Sequence, residues 1–370
     1  MKRALIIGAG PAGLVAGRLL AEQNYQVDIF EQRNHLAGNC YDILDQNGIL
    51  IHQYGPHYFR SDDVSLLRWL SKFTEWIPAH YHVRLQTEDG LVPMPISLAT
   101  IIQLTGQFMS AEDFRQYLQK HREKFDNPQN AKEQCLSLVG RDIYEKIFAK
   151  YTLKQWGKDA SKLDAAITAR IPLRFNFDDR YPQEKYQLMP KNGYTAMFTA
   201  ISEHKNITIN YQHKLSVQQI YQKRQQYELI IYTGKLDEFF DYELGQLEYR
   251  SLKFEWKYFK ENYHQPCVQI NYSSLDIPFT RSTEIKHVSG QTCMGTTVCY
   301  ETPQDKGGPY YPVLDDNNNN LAQRYRDKAK VLSSENNPII FLGRLAEFKY
   351  YNMDQVMSQA FERLNKFVKI

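Results

Sequence analysis

The sequence has few of the features that mark a secreted or membrane-embedded protein. Its five cysteines (Cys40, Cys135, Cys267, Cys293 and Cys299) are scattered over 370 residues, without C-x-x-C pairs or zinc-type spacing. An odd number of dispersed cysteines argues against a disulfide framework and favours reduced thiols in a cytoplasm. No signal peptide precedes the first apolar segment, and no apolar run approaches the roughly 20 residues that span a bilayer. We therefore expect a cytoplasmic protein without a membrane partner.

The chain also has little excess charge of either sign. Lysine and arginine number 45, aspartate and glutamate number 42, and the formal net charge is +3. Because the charges are interspersed, no basic stripe is available for a nucleic acid, whereas a small anionic ligand is easy to accommodate. Tyrosine is abundant at 26 residues, and its ring offers a flat stacking surface together with a hydroxyl group. This composition favours ligands such as sugars and bases.

An apolar strand at the N-terminus runs directly into a glycine-rich turn and a helix. Residues 4–13 read Ala-Leu-Ile-Ile-Gly-Ala-Gly-Pro-Ala-Gly and place the motif Gly8-x-Gly10-x-x-Gly13 at the start of the helix. Such glycines let backbone amides at a helix N-terminus approach a pyrophosphate. A second strand, 25–30, ends before Glu31, where a carboxylate can bind a ribose hydroxyl. The sequence predicts a dinucleotide-binding domain.

Two polar segments follow this motif. In the loop after Glu31, Arg33 can contact a phosphate or stack on adenine, and Gly38 permits close backbone approach. An ordinary turn with a solvated arginine is the alternative. The run from His52 to Arg60 places His57 beside a Gly-Pro turn, which can hold a side chain at a cofactor edge. A histidine with purely structural contacts is the alternative there.

Three later motifs could carry a ligand. Tyr151-Thr-x-x-Gln-Trp156-Gly157 puts aromatic rings beside a glycine hinge, as in a stacking platform with a mobile lid, although Trp156 could equally be a core residue. Arg174 and Arg281 each follow proline and apolar residues on a strand-like segment and could clamp a diphosphate, although surface arginines are commoner. Tyrosines and a Gly-Arg pair precede the last helix, whose N-terminus could face a flavin or its phosphates. The sequence shows no metal-ligand or P-loop spacing.

The apolar pattern changes along the chain and indicates interleaved domains. Residues 100–169 show helical spacing with few glycines, whereas later segments alternate as strands do. The predicted later elements are strands at 207–211, 227–232, 247–255, 268–272, 294–300 and 338–342, an asparagine-rich turn at 315–320 and a helix at 353–369. The last strand and helix resemble the end of a nucleotide-binding domain that begins at the N-terminus. Helical and sheet parts are therefore expected as insertions into that domain.

Together these motifs resemble the UDP-galactopyranose mutase family over nearly the whole chain. The matches, in order, are Gly8-Ala-Gly10, Arg33-Asn-His, Gly38-Asn39, Tyr54-Gly-Pro-His57, Tyr151-Thr-x-x-Gln-Trp-Gly157, Arg174-Phe175, Gly193-Tyr-Thr195, Leu247-Glu-Tyr-Arg-Ser-Leu-Lys-Phe254, Pro278-x-Thr-Arg281, Tyr310-Tyr-Pro312 and Gly343-Arg-Leu345. So many motifs in one order make the resemblance highly specific.

The resemblance implies an α/β fold with a Rossmann-like FAD-binding domain, an inserted helical domain and an antiparallel β-sheet domain. The FAD-binding domain is expected at 1–79, 195–240 and 313–370, the helical domain with the substrate lid at 100–180, and the sheet domain at 80–99, 181–194 and 241–312. The implied enzyme is an isomerase that interconverts the pyranose and furanose forms of a nucleotide-linked galactose-type sugar. In that family N5 of the reduced flavin attacks the anomeric carbon and the nucleoside diphosphate leaves. An external reductant for the flavin and a homodimer are also expected.

The resemblance also assigns roles to residues. Arg174 and Arg281 would hold the diphosphate as it leaves, and His57 would lie against the isoalloxazine ring. The other implied substrate-binding residues are Arg60, Tyr151, Thr152, Trp156, Tyr186, Tyr311, Tyr350 and Asn352. The other implied cofactor-binding residues are Gly8, Gly10, Pro11, Ala12, Gly13, Glu31, Gln32, Arg33, Gly38, Asn39, Gly343, Arg344 and Met353.

Two positions depart from the family's usual pattern. Arg60 stands where a histidine is common, three residues after His57, and Asn352 stands where an aspartate is usual, two residues after Tyr350. Both changes make the flavin-side pocket more positive. Because a guanidinium donates to carbonyl oxygen in a fixed fork, we hypothesise that Arg60 recognises the carbonyl of an N-acetyl group at C2 of the sugar. UDP-N-acetylgalactosamine and a dTDP-linked 6-deoxy sugar are therefore candidate substrates beside UDP-galactose.

Two other functions share part of this pattern. An FAD-dependent oxidase or dehydrogenase of the amine-oxidase class would share the glycine motif but lack the paired arginines and the lid motif. A non-catalytic flavin-binding protein would be favoured only if Arg174 or Arg281 proved dispensable.

Overall fold

The computed structural model describes residues 2–88, 90–169, 172–365 and 367, which form four β-sheets and a set of helices. The strands are β1 (Arg3–Ile7), β2 (Gln26–Phe30), β3 (Asp42–Leu44), β4 (Leu50–His52), β5 (Phe59–Ser61), β6 (Trp76–Pro78), β7 (Val83–Thr87), β8 (Gly90–Met94), β9 (Tyr186–Pro190), β10 (Ile207–Asn210), β11 (Leu229–Tyr232), β12 (Tyr249–Phe259), β13 (Gln269–Tyr272), β14 (Arg281–Thr283), β15 (Thr296–Gln304), β16 (Tyr311–Pro312) and β17 (Ile339–Phe341). The α-helices are α1 (Pro11–Glu22), α2 (Val64–Leu70), α3 (Leu98–Thr105), α4 (Ala111–His121), α5 (Ala131–Val139), α6 (Arg141–Ile143), α7 (Lys150–Trp156), α8 (Gly193–Ser202), α9 (Val217–Lys223), α10 (Leu236–Phe239), α11 (Lys286–Ser289), α12 (Asp316–Ser334) and α13 (Met353–Leu364).

A five-stranded parallel sheet joins the two ends of the chain. Its order is β10-β2-β1-β11-β17, so strands from the first 30 residues lie between β10 and β11, and β17, near the C-terminal end, pairs with β11. Helix α1 packs on this sheet and also contacts α8 and α13, and its buried side chains include Leu14, Val15 and Leu19. The glycine-rich turn lies between β1 and α1, at the carboxyl end of β1. Ligands bind at that edge in Rossmann-like folds.

A seven-stranded sheet, with the order β16-β12-β15-β14-β13-β7-β8, forms the second large layer. Neighbouring strands are antiparallel apart from β13 and β7, which run parallel. The expected antiparallel sheet is therefore present with one parallel pair. Strand β9, from the segment assigned to this sheet, instead pairs with β5 and β6 in a three-stranded sheet.

The helical insertion carries the predicted lid motif. Helices α6 and α7 are the two ends of one uninterrupted helix, because Tyr144–Ala149 between them has π-helical hydrogen bonding. Turns of π-helix frequently occur at functional sites. Helix α7 bears Tyr151 and Trp156, and Gly157 ends it with a φ of 67°. Within the described residues, no helix is long and apolar enough to cross a membrane.

Most predicted elements are present, with ends shifted by a few residues, but the predicted turn at 315–320 is wrong. Helix α12 begins there, because the Asp315 side chain caps it by accepting a hydrogen bond from the backbone N–H of Asn318 at 2.8 Å. The predicted helix at 353–369 ends at Leu364, and residues 366 and 368–370 lie outside the described residues. All five strands of the parallel sheet fall within the segments predicted for the FAD-binding domain, whereas the domain limits themselves stay a prediction.

Candidate active site

Glycines let three turns approach one another closely at the carboxyl edge of the parallel sheet. Gly8 has a φ of 104°, and a Cβ on Gly13 would lie 2.0 Å from the carbonyl oxygen of Gly8. A Cβ on Gly38 would lie 2.9 Å from the Cα of Gly10, and one on Gly343 would lie 3.1 Å from the Cβ of Ala12. Pro11 occupies the first turn of α1, where the missing N–H costs nothing. We call these turns the glycine cradle; a side chain at Gly13 or Gly38 would collide with its backbone.

Charged groups line the cradle. The buried Glu31 carboxylate accepts hydrogen bonds from the backbone N–H groups of Ala9 at 2.7 Å and Arg33 at 2.8 Å, while Gln32 is exposed. The Arg33 guanidinium donates to Asn39 at 2.9 Å and lies 4.1 Å from the ring centroid of Tyr54. Its Nη1 atom is buried without a hydrogen-bond partner among the described residues. A backbone-lined turn with an unsatisfied guanidinium donor fits the pyrophosphate of a dinucleotide.

A cavity of about 530 Å³ adjoins the cradle, since Asn39 and Tyr54 also line it. Its walls come from the β5 region, α7, β14, β15, β16 and the segment before α13. The predicted site residues that line it are Asn39, His57, Arg60, Tyr151, Thr152, Trp156, Arg281, Tyr311, Arg344, Tyr350, Asn352 and Met353. Residues that are far apart in the sequence thus meet in one space.

Aromatic rings cover one wall of the cavity. Tyr151, Thr152 and Trp156 of α7 all line the cavity, and Thr152 and Trp156, four residues apart, share a helix face. The Trp156 ring is 6.4 Å from that of Tyr311 and 6.2 Å from that of Tyr350, and the two tyrosines stack at 5.4 Å. The Arg344 guanidinium lies within 5.7 Å of both tyrosine ring centroids. Such a wall can stack a base and bind an anion beside it.

Arg281 belongs to a buried charged group on adjacent strands. It is the cross-strand neighbour of Glu301, and its Nε lies 2.6 Å from the Glu301 Oε1. Its Nη2 donates to the Tyr311 hydroxyl at 2.9 Å. Burial raises the pKa of Glu301 above its ordinary value, and the charge of Arg281 opposes that rise. Glu301 and Tyr311 together occupy two of the five N–H groups of the guanidinium, which leaves the others for a ligand in the cavity.

The two positions that depart from the family pattern contact each other. Arg60, on β5, donates through Nη2 to the Asn352 Oδ1 at 2.9 Å, and Asn352 immediately precedes α13. The Nη1 of Arg60 donates to Glu184 at 3.1 Å. The three side chains line the same cavity, so they form one hydrogen-bonded group on its wall.

His57 lies in the cavity wall as a neutral imidazole. Its Nδ1 is 2.8 Å from the Gly55 carbonyl oxygen. Because that oxygen can only accept a hydrogen bond, Nδ1 carries the proton and Nε2 is unprotonated. Burial, together with the neighbouring His52, lowers the pKa of His57 to about 3. The ring therefore offers an acceptor rather than a charge at neutral pH.

Two of the residues predicted to contact the substrate, Arg174 and Tyr186, do not line the cavity. Arg174 lies outside any strand, and its guanidinium contacts the Asp178 carboxylate at 2.6 Å and the Pro182 carbonyl at 2.5 Å. Tyr186 is on β9, opposite Ser61, and its ring faces the Lys185 ammonium at 5.4 Å. The substrate-binding roles of both residues stay predictions.

Sequence reasoning missed several lining residues, chiefly Glu184, Glu301 and the tyrosines at 58, 81, 181 and 310. Glu301 carried a signal, because it is a charge that follows the apolar run Val298-Cys-Tyr in a segment predicted as a strand. The predicted strand stopped at residue 300, whereas β15 continues to Gln304. Glu184 is in a polar loop and carried no such signal.

The chain is similar to known proteins over nearly its whole length. A family model described as UDP-galactopyranose mutase matches residues 146–350, and one described as an NAD(P)-binding Rossmann-like domain matches residues 6–73. A probable UDP-galactopyranose mutase of Klebsiella pneumoniae is 37% identical over 99% of this chain and 95% of its own. A dTDP-fucopyranose mutase of Escherichia coli is 34% identical over 100% of this chain and 99% of its own.

A solved structure has the same fold. The crystal structure of a reduced UDP-galactopyranose mutase superposes with a TM-score of 0.76 at 16% identity and covers 99% of this chain and 95% of that one. With the cradle, the cavity and these full-length relatives together, the chain belongs to the UDP-galactopyranose mutase family, a family of isomerases.

Proposed function

We propose that the chain binds FAD and, with the flavin reduced, interconverts the pyranose and furanose forms of a nucleotide-linked galactose-type sugar. The observation that carries this proposal is the position of Arg281, which meets Tyr311 in a cavity that adjoins the glycine cradle. When bound in its reduced state, FAD supplies a nucleophile for the anomeric carbon of the sugar.

The cradle fits FAD. Backbone amides at the start of α1 would hold the pyrophosphate, Glu31 would bind a ribose hydroxyl, and the unsatisfied Nη1 of Arg33 would donate to a phosphate. His57, Arg344 and Met353 line the cavity that adjoins the cradle and would hold the flavin ring.

The cavity residues suit a nucleoside diphosphate as leaving group. The N–H groups of Arg281 that are not used by Glu301 would donate to the diphosphate and stabilise its charge as the bond to the sugar breaks. Tyr311 and Tyr350 would add hydroxyl donors, and Tyr151, Thr152 and Trp156 would hold the base. Arg174 would reach the diphosphate only after releasing Asp178.

The Arg60 group favours a sugar that carries an acyl substituent. Glu184 and Asn352 accept from two of the five N–H groups of the Arg60 guanidinium and so fix its orientation. The other N–H groups can donate to a ligand in the cavity. A C2 N-acetyl carbonyl is a suitable acceptor, so UDP-N-acetylgalactosamine is our first candidate substrate. UDP-galactose and a dTDP-linked 6-deoxy sugar are the others.

The test is to incubate dithionite-reduced protein with a panel of UDP- and dTDP-hexopyranoses and to read the ring size of the products by NMR. We expect furanose formation without net flavin oxidation. Activity confined to the oxidised protein would instead indicate an oxidase of the amine-oxidase class. Static light scattering of the same preparation tests the homodimer, which stays a prediction, as does the cytoplasmic location.

The role of Arg60 is tested separately by comparing wild type with Arg60→His. We expect the ratio of kcat/KM for UDP-N-acetylgalactosamine to that for UDP-galactose to fall about tenfold in the variant, because a hydrogen bond from a charged donor is lost. An unchanged ratio would rule out recognition of the N-acetyl group by Arg60.

A further inference from the structure

A buried histidine beneath the cavity wall has no part in the function proposed so far. His52 ends β4 and is 3% exposed, and its backbone carbonyl accepts a hydrogen bond from the Gly55 N–H at 3.3 Å. Its Nδ1 accepts another from the backbone N–H of His57 at 2.8 Å. His52 therefore closes the segment 52–57, here the histidine turn, at two points.

These contacts fix the protonation of His52. Because Nδ1 accepts from an N–H group, it carries a lone pair, and the proton of the neutral ring is on Nε2. Nε2 is buried without a hydrogen-bond partner among the described residues, and its nearest carboxylate oxygen, on Asp42, is 4.0 Å away. The Asp42 carboxylate already accepts from the backbone N–H groups of Tyr194 at 2.6 Å and Thr195 at 2.8 Å. It favours the Nε2–H tautomer through its charge alone.

This arrangement leaves a polar N–H group buried and unsatisfied, which is unfavourable for stability. A leucine of similar size would avoid that loss, but it could not accept the N–H of His57. The contact that only the imidazole provides is therefore the one at Nδ1.

The rest of the turn shows what that contact positions. Gly55 has a φ of 90°, and a Cβ there would lie 2.6 Å from the Phe254 ring, so the turn is pressed against β12. Its carbonyl accepts from Nδ1 of His57 and so orients the His57 ring in the cavity wall. The Tyr54 hydroxyl is 2.7 Å from His35, which ties the same turn to the loop that carries Arg33.

We infer that His52 is a positioning residue: by accepting the His57 N–H it sets the backbone of the histidine turn, and so the His57 imidazole, against the cofactor and the reacting sugar. This inference rests on the proposed function for the identity of the cofactor. His52 itself does not line the cavity and acts only through His57.

The test compares two amide variants of the FAD-loaded protein. His52→Asn places its amide oxygen near the position of Nδ1 and can still accept from His57, whereas His52→Gln places it near Nε2 and cannot. His204→Leu is the control, because His204 Nδ1 accepts a backbone N–H from Asn206 at 3.2 Å in the same way but far from the cavity.

We expect His52→Gln to lose about 10-fold to 100-fold in kcat with KM within about twofold, while His52→Asn and His204→Leu stay close to wild type. The visible absorption of the bound flavin and its reduction potential should shift in His52→Gln alone. Equal behaviour of the Asn and Gln variants in both measurements would overturn the inference. If no variant turns over a sugar, the proposed function is refuted. The flavin absorption and reduction potential still decide whether His52 is a positioning residue.

Discussion

The two sides of the cavity hold their charged groups in different ways. On one side, here the strand side, Arg281 and Glu301 are on the neighbouring strands β14 and β15, Tyr311 is on β16 of the same sheet, and the His52–His57 turn is pressed against β12. On the other, the loop side, Arg174 lies in the segment 172–184 before β9, which contributes Tyr181 and Glu184 to the cavity. Arg281 is paired with a carboxylate that is 1% exposed, whereas the Asp178 partner of Arg174 is 30% exposed.

This difference separates two arginines that the sequence presents as equivalent. Both follow a proline and apolar residues, and both were expected to clamp a diphosphate. The sheet register holds Arg281 in the cavity wall before any ligand arrives. The charge of Arg174 is neutralised by its own loop, so its use in binding would need a rearrangement. Preorganised donors contribute to catalysis without that reorganisation.

The largest expected effect is that of Arg281→Ala. Turnover by the reduced protein should fall by about 100-fold to 1,000-fold, since one preorganised donor to the leaving group is removed. FAD content should be unchanged, because the cradle is untouched. Arg324→Ala, at an exposed position on α12, is the control and should behave as wild type. Turnover retained in Arg281→Ala would show that the strand side does not supply the preorganised donor to the leaving group.

A smaller effect is expected when the charge on the partner of Arg281 is removed. Glu301→Gln should reduce kcat about tenfold, because the guanidinium loses the carboxylate that orients it. UDP should bind the oxidised variant more tightly, since a negative charge beside the diphosphate is gone. Steady-state kinetics and a UDP titration separate the two effects. A parallel loss of affinity and kcat would mean that Glu301 merely maintains the fold.

Local motifs explain why the nucleotide-binding half of the fold was predictable. The strand, glycine turn, helix and acidic residue at 4–31 are consecutive, and each constrains the next. The prediction of a turn at 315–320 was wrong for an equally local reason. Asparagines are typical of turns, but here the Asp315 side chain caps a helix, and the asparagines form its first turn.

The sugar-facing part of the site was less predictable, because its contacts join distant residues. Arg60 and Asn352 were each singled out, yet nothing in the sequence indicated that they are hydrogen-bonded to each other across 292 positions. Glu301 became part of the site only through the register of β14 and β15. Tertiary packing of this kind leaves no periodic signal in one sequence.

A pH-dependent contribution to stability is expected from the strand side. Burial lowers the pKa of His52 to about 3, whereas the unfolded chain titrates near the ordinary histidine value of about 6.5. Between these values the unfolded state binds more protons, so stability falls as the pH falls. From pH 6.5 to 5.5, wild type should lose about 1 kcal/mol more than His52→Asn in chemical denaturation of the FAD-saturated proteins. Parallel losses would show that His52 is not buried as a neutral ring.

The smallest effect is expected on the loop side. Hydrogen bonds from Arg180 hold the pKa of Asp178 below its ordinary value, so Asp178 is ionised at neutral pH and competes with a diphosphate for Arg174. A partly exposed ion pair contributes well under 1 kcal/mol, so Asp178→Asn should lower KM only about twofold to threefold.

A double-mutant cycle decides whether that change acts through Arg174. In an Arg174→Ala background the Asp178→Asn substitution should leave KM unchanged, because the competing partner is already absent. If KM falls equally in both backgrounds, Asp178 acts by general repulsion of the substrate. Asp178 would then not restrain Arg174, and KM of the Arg174→Ala single variant alone would measure the part of Arg174 in binding. A fall in KM that occurs only when Arg174 is present would show that the loop side takes part in binding. Arg174 would then exchange the Asp178 carboxylate for a phosphate of the substrate.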